Sequence, residues 1–183
     1  MNDVFIIVWL SIIACVYILV VLIKTFIFVP TKVEGKSMLP TLKNNERIIF
    51  RRKTIRLNNI NRFDVIVFYI NKQHPLVKRV IGLPGDHIEY CNHKLYVNGE
   101  KYEETHLDTY IKETVTGSPT EDFRLEDCTG SKTVPESKLF VLGDNRMYSI
   151  DSRSPKIGTV SINNIVGKAK LTYWPLKRFK WIK

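Results

Sequence analysis

A hydroxyl that could serve as a nucleophile stands in Gly35-Lys36-Ser37-Met38-Leu39-Pro40-Thr41. The proline fixes its own φ and removes a backbone donor, so the segment reads as a rigid, exposed corner carrying Ser37. A serine in such a setting often does no more than cap a turn. To attack a carbonyl it needs a base. The imidazoles are His74, His87, His93 and His106, and none lies in a triad-like setting. Lys78 is the better candidate. It opens Lys78-Arg79-Val80-Ile81-Gly82-Leu83-Pro84-Gly85-Asp86, and on a strand it shares one face with Leu76 and Val80. An amine in an apolar row loses hydration, which disfavours the ammonium and lowers its pKa from about 10.4. The ordinary alternative is a lysine that snorkels or pairs with a carboxylate. A third segment, Gly143-Asp144-Asn145-Arg146-Met147-Tyr148-Ser149-Ile150-Asp151-Ser152-Arg153, is dense in groups able to orient a lysine or brace a site.

These candidates follow a long apolar run. Val4 through Ile23 carries no charge, and apolar character resumes at Phe26-Ile27-Phe28-Val29. About twenty apolar residues at helical rise match the hydrocarbon thickness of a bilayer, so residues 1–29 are predicted to form one transmembrane anchor. A cleaved export signal fits less well, because the run is too long and lacks a basic leader and a small-residue cleavage site. Ile13-Ala14-Cys15 has the look of a lipidation box, but the apolar run continues past Cys15 and no basic residue precedes it. Only Asp3 is charged before the run, whereas Lys24, Lys32 and Lys36 follow it, and that asymmetry alone would hold the rest of the chain in the cytoplasm.

Taken in order behind an anchor, Ser-Met-x-Pro-Thr, Lys-Arg-x-x-Gly-x-Pro-Gly-Asp and Gly-Asp-Asn-Arg…Ser-x-Asp-Ser-Arg resemble the boxes of the type I signal peptidases. These are membrane-bound Ser/Lys endopeptidases that trim exported preproteins. The resemblance spans almost the whole chain. It implies a mainly β fold, a signal-peptidase/repressor-protease-like β-sheet catalytic domain over residues 30–183, on the extracytoplasmic side of the cell membrane. It implies Ser37 as nucleophile, Lys78 as general base, and Ser149 as the hydroxyl that bonds and aims the lysine amine. Asp151 and Arg153 match a bracing ion pair, with Asp144, Arg146 and Arg79 as further members of that network. The Ser37 N–H is the expected oxyanion donor. Some members of the family add a serine hydroxyl two residues earlier, where this chain has Gly35, so the side-chain half of that donor set is missing. Met38 and Leu39 are expected to line a shallow apolar substrate surface. The implied substrates are exported preproteins with small residues at the first and third positions before the cut, and the secretion translocon is a further partner.

A net charge of +10 is compatible with a solvated basic surface, nucleic acid or anionic lipid. The tail 168–183 interleaves Lys168, Lys170, Lys177, Arg178, Lys180 and Lys183 with Tyr173, Trp174, Phe179 and Trp181 and contains no acid. Tryptophan among basic residues suits a membrane–water interface, which makes phospholipid the expected contact of this membrane-proximal tail, and nucleic acid is not expected. Cys91 and Cys128 are the only cysteines outside the apolar run and are expected to stay unpaired. No metal-ligand spacing is present, and no metal or cofactor is expected.

Short strands are predicted at 47–51, 63–70, 77–81, 139–142 and 165–174, with a hairpin of 87–91 and 94–97 around Asn92-His93 and a second tight turn at Asn98-Gly99. From Lys101 to Glu136 the pattern dissolves, and this stretch reads as an insertion or extended lobe rather than core. Two rival functions share the features: a self-cleaving Ser/Lys protease of the repressor type, opposed by the anchor, and a catalytically silent homologue that binds exported chains, opposed by retention of both serine and lysine.

Overall fold

The computed structural model describes residues 2–26, 28–52, 59–70, 75–107 and 120–182. The apolar run forms one helix, α1 (Asn2–Phe26). Its window Val4–Val21 is long and apolar enough to cross a membrane, and none of it is buried against the rest of the chain. Strand β1 (Phe28–Lys32) follows, then the turns that carry Ser37.

The remainder is mainly β. Strands β2 (Arg47–Arg52), β3 (Val65–Tyr69), β4 (Pro75–Gly82), β9 (Lys138–Leu142), β10 (Val160–Ser161), β11 (Ile165–Trp174) and β12 (Lys180–Trp181) join β1 in one antiparallel sheet. Its order is β1-β2-β11-β3-β4-β9-β10, and β12 pairs with β11. Strands β5 (Ile88–Cys91), β6 (Lys94–Val97), β7 (Glu100–Tyr102) and β8 (Phe123–Arg124) form a second sheet in the order β7-β6-β5-β8. The β5–β6 turn at Asn92-His93 and the β6–β7 turn at Asn98-Gly99 both place their central residues at positive φ, as two-residue hairpins require.

The central strands are apolar on both faces, and the period of two divides their side chains between separate cores. In β3, Ile66 and Phe68 join one cluster with Val80, Leu139 and Val141, while Val65 and Val67 join another with Met38, Leu42, Ile48 and Phe50. In β9, Phe140 and Leu142 turn to a third cluster, shared with Ile88, Tyr90 and Leu95 of the second sheet. A sheet covered on both sides resists small displacements, which is what a site built on its strands needs.

The stretch 101–136 departs from the sequence reading. Its described part buries Leu107, and the short helix α2 (Leu125–Thr129) sends Leu125, with Val134, into the third cluster. The apolar residues here are too few and too widely spaced to show a period, yet Leu125 and Val134 fill places in the third core. Residues 108–119 of that stretch, His74 and Lys183 lie outside the described residues. Cys15, Cys91 and Cys128 are all free thiols.

Candidate active site

Ser37 sits in consecutive turns tied by Leu39 N–H to Lys36 C=O at 3.2 Å and Leu42 N–H to Met38 C=O at 2.7 Å. The Leu39–Pro40 peptide is cis. Met38 and Leu42 fasten the turn to the core beneath, so half-buried Ser37 is held from below. Lys78 lies near the middle of β4, between β3 and β9. Its side chain is only 3% exposed, and its amine donates a hydrogen bond to Ser37 Oγ at 2.6 Å. Burial lowers the Lys78 pKa from 10.5 to about 8; Asp151 and Asp144 oppose that fall and Arg153 adds to it. An amine with this pKa can both accept and return a proton near neutral pH.

The third segment is clamped to its surroundings at three arginines. Arg79, 0% exposed, forks onto Asp144 with Nε to Oδ1 at 2.8 Å and Nη2 to Oδ2 at 2.6 Å, and Thr41 Oγ1 donates to the same carboxylate. Burial alone would raise the Asp144 pKa, but the bonds and charge of Arg79, with Thr41, hold it below the usual value. Arg153 pairs with Asp151 through two bonds of 2.9 Å, and Asp151 also accepts Gly143 N–H at 3.0 Å. Arg146 does not join either pair directly. Its Nη2 bonds Glu104 at 2.6 Å, its Nη1 bonds Tyr90 OH and Thr120, and its Nε bonds Gly143 C=O. Two of the three clamps are joined directly where Arg153 bonds the Arg146 carbonyl at 2.6 Å.

Asn145 links this segment to the serine turn: its N–H donates to Ser37 C=O and its Nδ2 to Lys36 C=O, both at 3.0 Å. Thr41 and Asn145 stand in the sequence only as members of the quoted boxes, with no role attached, and Glu104, Tyr90 and Thr120 are not candidates there at all. The partners of all five lie far off in the chain, and nothing in local spacing marks those pairings. His106 is another buried neighbour. Desolvation, helped by Arg79, lowers its pKa to about 3, and its Nε2 lies 3.8 Å from both Glu104 and Asp144 without a hydrogen bond.

Other expected residues are placed differently. Ser149 Oγ is buried beside Gly143 but makes no hydrogen bond, so the expected bond to the Lys78 amine is not formed. Gly35 N–H is engaged with Asn44 Oδ1 at 3.0 Å, and Gly35 has φ +89, a conformation suited to glycine. The Ser37 N–H has no hydrogen-bond partner among the described residues. Met38 is 2% exposed and belongs mainly to the core, although one edge reaches a recess of about 40 Å³ beside Ser37, Leu76, Val77 and Lys78. Leu39 lines neither this recess nor the larger groove next to it. That groove encloses about 510 Å³ over Ser37 and Lys78. Ile70, Leu76, Tyr148, Ile150 and Ile157 make its apolar wall, with Lys36 and Lys156 at its edge.

A buried lysine bonded to a half-buried serine, opening onto an apolar groove, can carry out acyl transfer without metal or cofactor. Comparison with known proteins identifies the family. The chain is 49% identical over 157 residues to signal peptidase I of Bacillus caldolyticus, covering 86% of this chain and 85% of the relative. It is 37% identical over 177 residues to signal peptidase IB of Staphylococcus aureus strain MRSA252, covering 94% and 92%. The crystal structure of a signal peptidase I from Enterococcus faecalis V583 superposes with a TM-score of 0.55 at 39% identity, over 60% of this chain and 96% of that one. The profile of the family described as "Signal peptidase, peptidase S26" matches residues 6–174, and the chain belongs to that family.

Proposed function

We propose that this chain is a membrane-anchored serine endopeptidase that removes signal peptides from exported preproteins with a Ser37/Lys78 dyad. The observation that carries the reading is the 2.6 Å bond from the Lys78 amine to Ser37 Oγ at the floor of the groove. In the working form Lys78 is neutral and accepts the Ser37 proton as Oγ adds to the scissile carbonyl carbon. The Ser37 N–H donates to the oxyanion that forms. Gly35 contributes no side-chain donor, and its own N–H is committed to Asn44. Protonated Lys78 then delivers its proton to the departing amine, which releases the mature chain and leaves the signal peptide as an ester on Ser37. Water, deprotonated by Lys78, hydrolyses that ester and restores the hydroxyl.

Asp151, Arg153, Asp144, Arg146 and Arg79 act as structural supports in this reading, and Ser149 as an orienting hydroxyl that could turn toward the amine when substrate excludes water. The small recess of about 40 Å³ supports a preference for small side chains next to the cut, since a single water already takes about 10–15 Å³ of such space. The apolar wall of the groove suits an extended, uncharged stretch of chain. Helix α1 serves as the anchor for residues 1–29, with the catalytic domain, 30–183, outside the cytoplasm, where exported chains emerge from the translocon. Trp174, Leu176, Phe179 and Trp181 are all exposed on the basic tail, which supports contact with phospholipid.

The test is cleavage, in detergent, of a preprotein carrying Ala at the first and third positions before the cut. The parent chain is expected to release a product beginning at that site. Ser37→Ala and Lys78→Ala, folded as the parent, are expected to release none. Turnover by purified Ser37→Ala would overturn the nucleophile, and no turnover by the folded parent would leave a silent binding homologue.

A further inference from the structure

A buried carboxylate that plays no part in the clamps above lies behind the serine turn. Glu46 is 1% exposed, directly after that turn and before β2. Its backbone closes the loop, with Val33 N–H donating to Glu46 C=O at 2.8 Å and Glu46 N–H to Lys43 C=O at 3.2 Å. A buried charge persists only when another charge meets it. The group that meets it comes from more than a hundred residues away: Arg178 Nε lies in ion-pair contact with Glu46 Oε1. Arg178 belongs to the single helical turn Leu176–Arg178 in the C-terminal tail. Its Nη2 also donates to Pro40 C=O at 3.4 Å, three residues from Ser37.

We propose that Arg178 is a positioning residue for the reaction: by joining the buried Glu46 to the Pro40 carbonyl, it straps the C-terminal tail across the Ser37 turn and holds Ser37 Oγ against Lys78. Three further observations support the strap. Ile182, at the far end of the tail, packs against the cluster that contains Met38 and Leu42, the two residues that seat the turn. Ile182 N–H is fixed to Lys170 C=O at 2.9 Å, and β12 pairs Trp181 with Leu171. Lys180 stands in the same charge cluster: burial, then Arg178 and Lys43, lower its pKa, while Glu46 and Asp144 oppose them. Arg178 is thus the cation in direct contact with the Glu46 carboxylate, and Lys180 feels the charge of both. The same guanidinium reaches the serine turn through the Pro40 carbonyl. Phe179 and Trp181, either side of Lys180, are exposed, so the same strap would connect any surface they touch to the nucleophile.

The proposal rests on the peptidase reading, and one experiment separates the two. Full-length parent, Arg178→Ala, Arg178→Lys and the neighbouring control Lys177→Ala would be assayed in detergent on the Ala-bearing preprotein. The assay gives kcat and KM separately, and each variant's melting temperature is recorded. Expected is a kcat lower by about tenfold or more in Arg178→Ala, with KM within about twofold, because the group moved is the nucleophile rather than the groove. Arg178→Lys keeps the charge toward Glu46 but not the forked reach to Pro40, so its kcat should fall between the two. Lys177→Ala should match the parent. Parental kcat in Arg178→Ala, or an equal loss in Lys177→Ala, would overturn the strap while leaving the dyad untouched. If Arg178→Ala does not fold, Arg178→Lys decides, and full parental kcat there overturns the proposal. Inactivity of the parent itself would count against the peptidase reading instead.

Discussion

Lys78 is where stability and catalysis pull in opposite directions. Its amine is buried among apolar neighbours, and its pKa of about 8 in the folded chain lies below the ordinary 10.5. Between those two values the unfolded chain binds more protons, so stability rises with pH. Below about 8 both states are protonated, and the whole cost of burying the ammonium, on the order of 3 kcal/mol, is present. Lys78→Met should therefore be inactive but melt higher than the parent near pH 6, and the margin should shrink as pH rises from about 8 toward 10.5. Thermal unfolding of both proteins across that range checks the sign. A variant that melts lower throughout would mean that the lysine stabilises the fold through its bond to Ser37. On the proposed mechanism the parent's kcat/KM follows the same group. It should rise about tenfold per pH unit below about 8 and level off above it.

At the scale of elements, the segment 143–153 works as a splint between β9 and the serine turn. Gly143 is its tightest point. A Cβ there would come within 2.2 Å of Ser149 Oγ and 2.4 Å of Ser37 C=O, distances that force something to move. Both neighbours belong to the site, so Gly143→Ala should push the serine turn off Lys78 and lower kcat by about a hundredfold, with a smaller effect on melting. Kinetics and thermal unfolding of the one variant decide between a displaced nucleophile and a general loss of packing. Strand runs of β-branched and aromatic residues made the main sheet readable from the sequence, and Asn92-His93 and Asn98-Gly99 made the hairpins readable. The apolar face of Lys78 followed from the same period of two. What escaped was the set of contacts made across long loops. Glu104 lies in a stretch without periodicity, and only the fold brings it 2.6 Å from Arg146. Met38 is expected to line the substrate surface with Leu39, yet the turn rotates it into the core. Asn145 stands in a legible box, but its role does not show there, because its partners are backbone carbonyls that no side-chain pattern encodes.

For the whole molecule, two physical arguments disagree about which side of the membrane the β domain occupies. Basic residues close after an apolar span hold a chain in the cytoplasm, and Lys24, Lys32 and Lys36 are so placed. The opposing argument is topological: a peptidase that cuts exported chains must meet them where they emerge. The rule concerns short flanking loops, and long folded domains cross largely regardless of their charge. The domain after α1 is of that long kind, and Lys32 lies within β1 rather than in a free flanking loop. We therefore expect the domain outside. Protease added to spheroplasts expressing the full chain should digest residues beyond about 30 and leave a fragment the size of α1, whereas inverted vesicles should protect the domain. The reverse pattern would show that the basic flank governs insertion. Ser37 and Lys78 would then face the cytoplasm, away from the chains that signal-peptide removal requires, and the site would need a substrate that reaches it from that side.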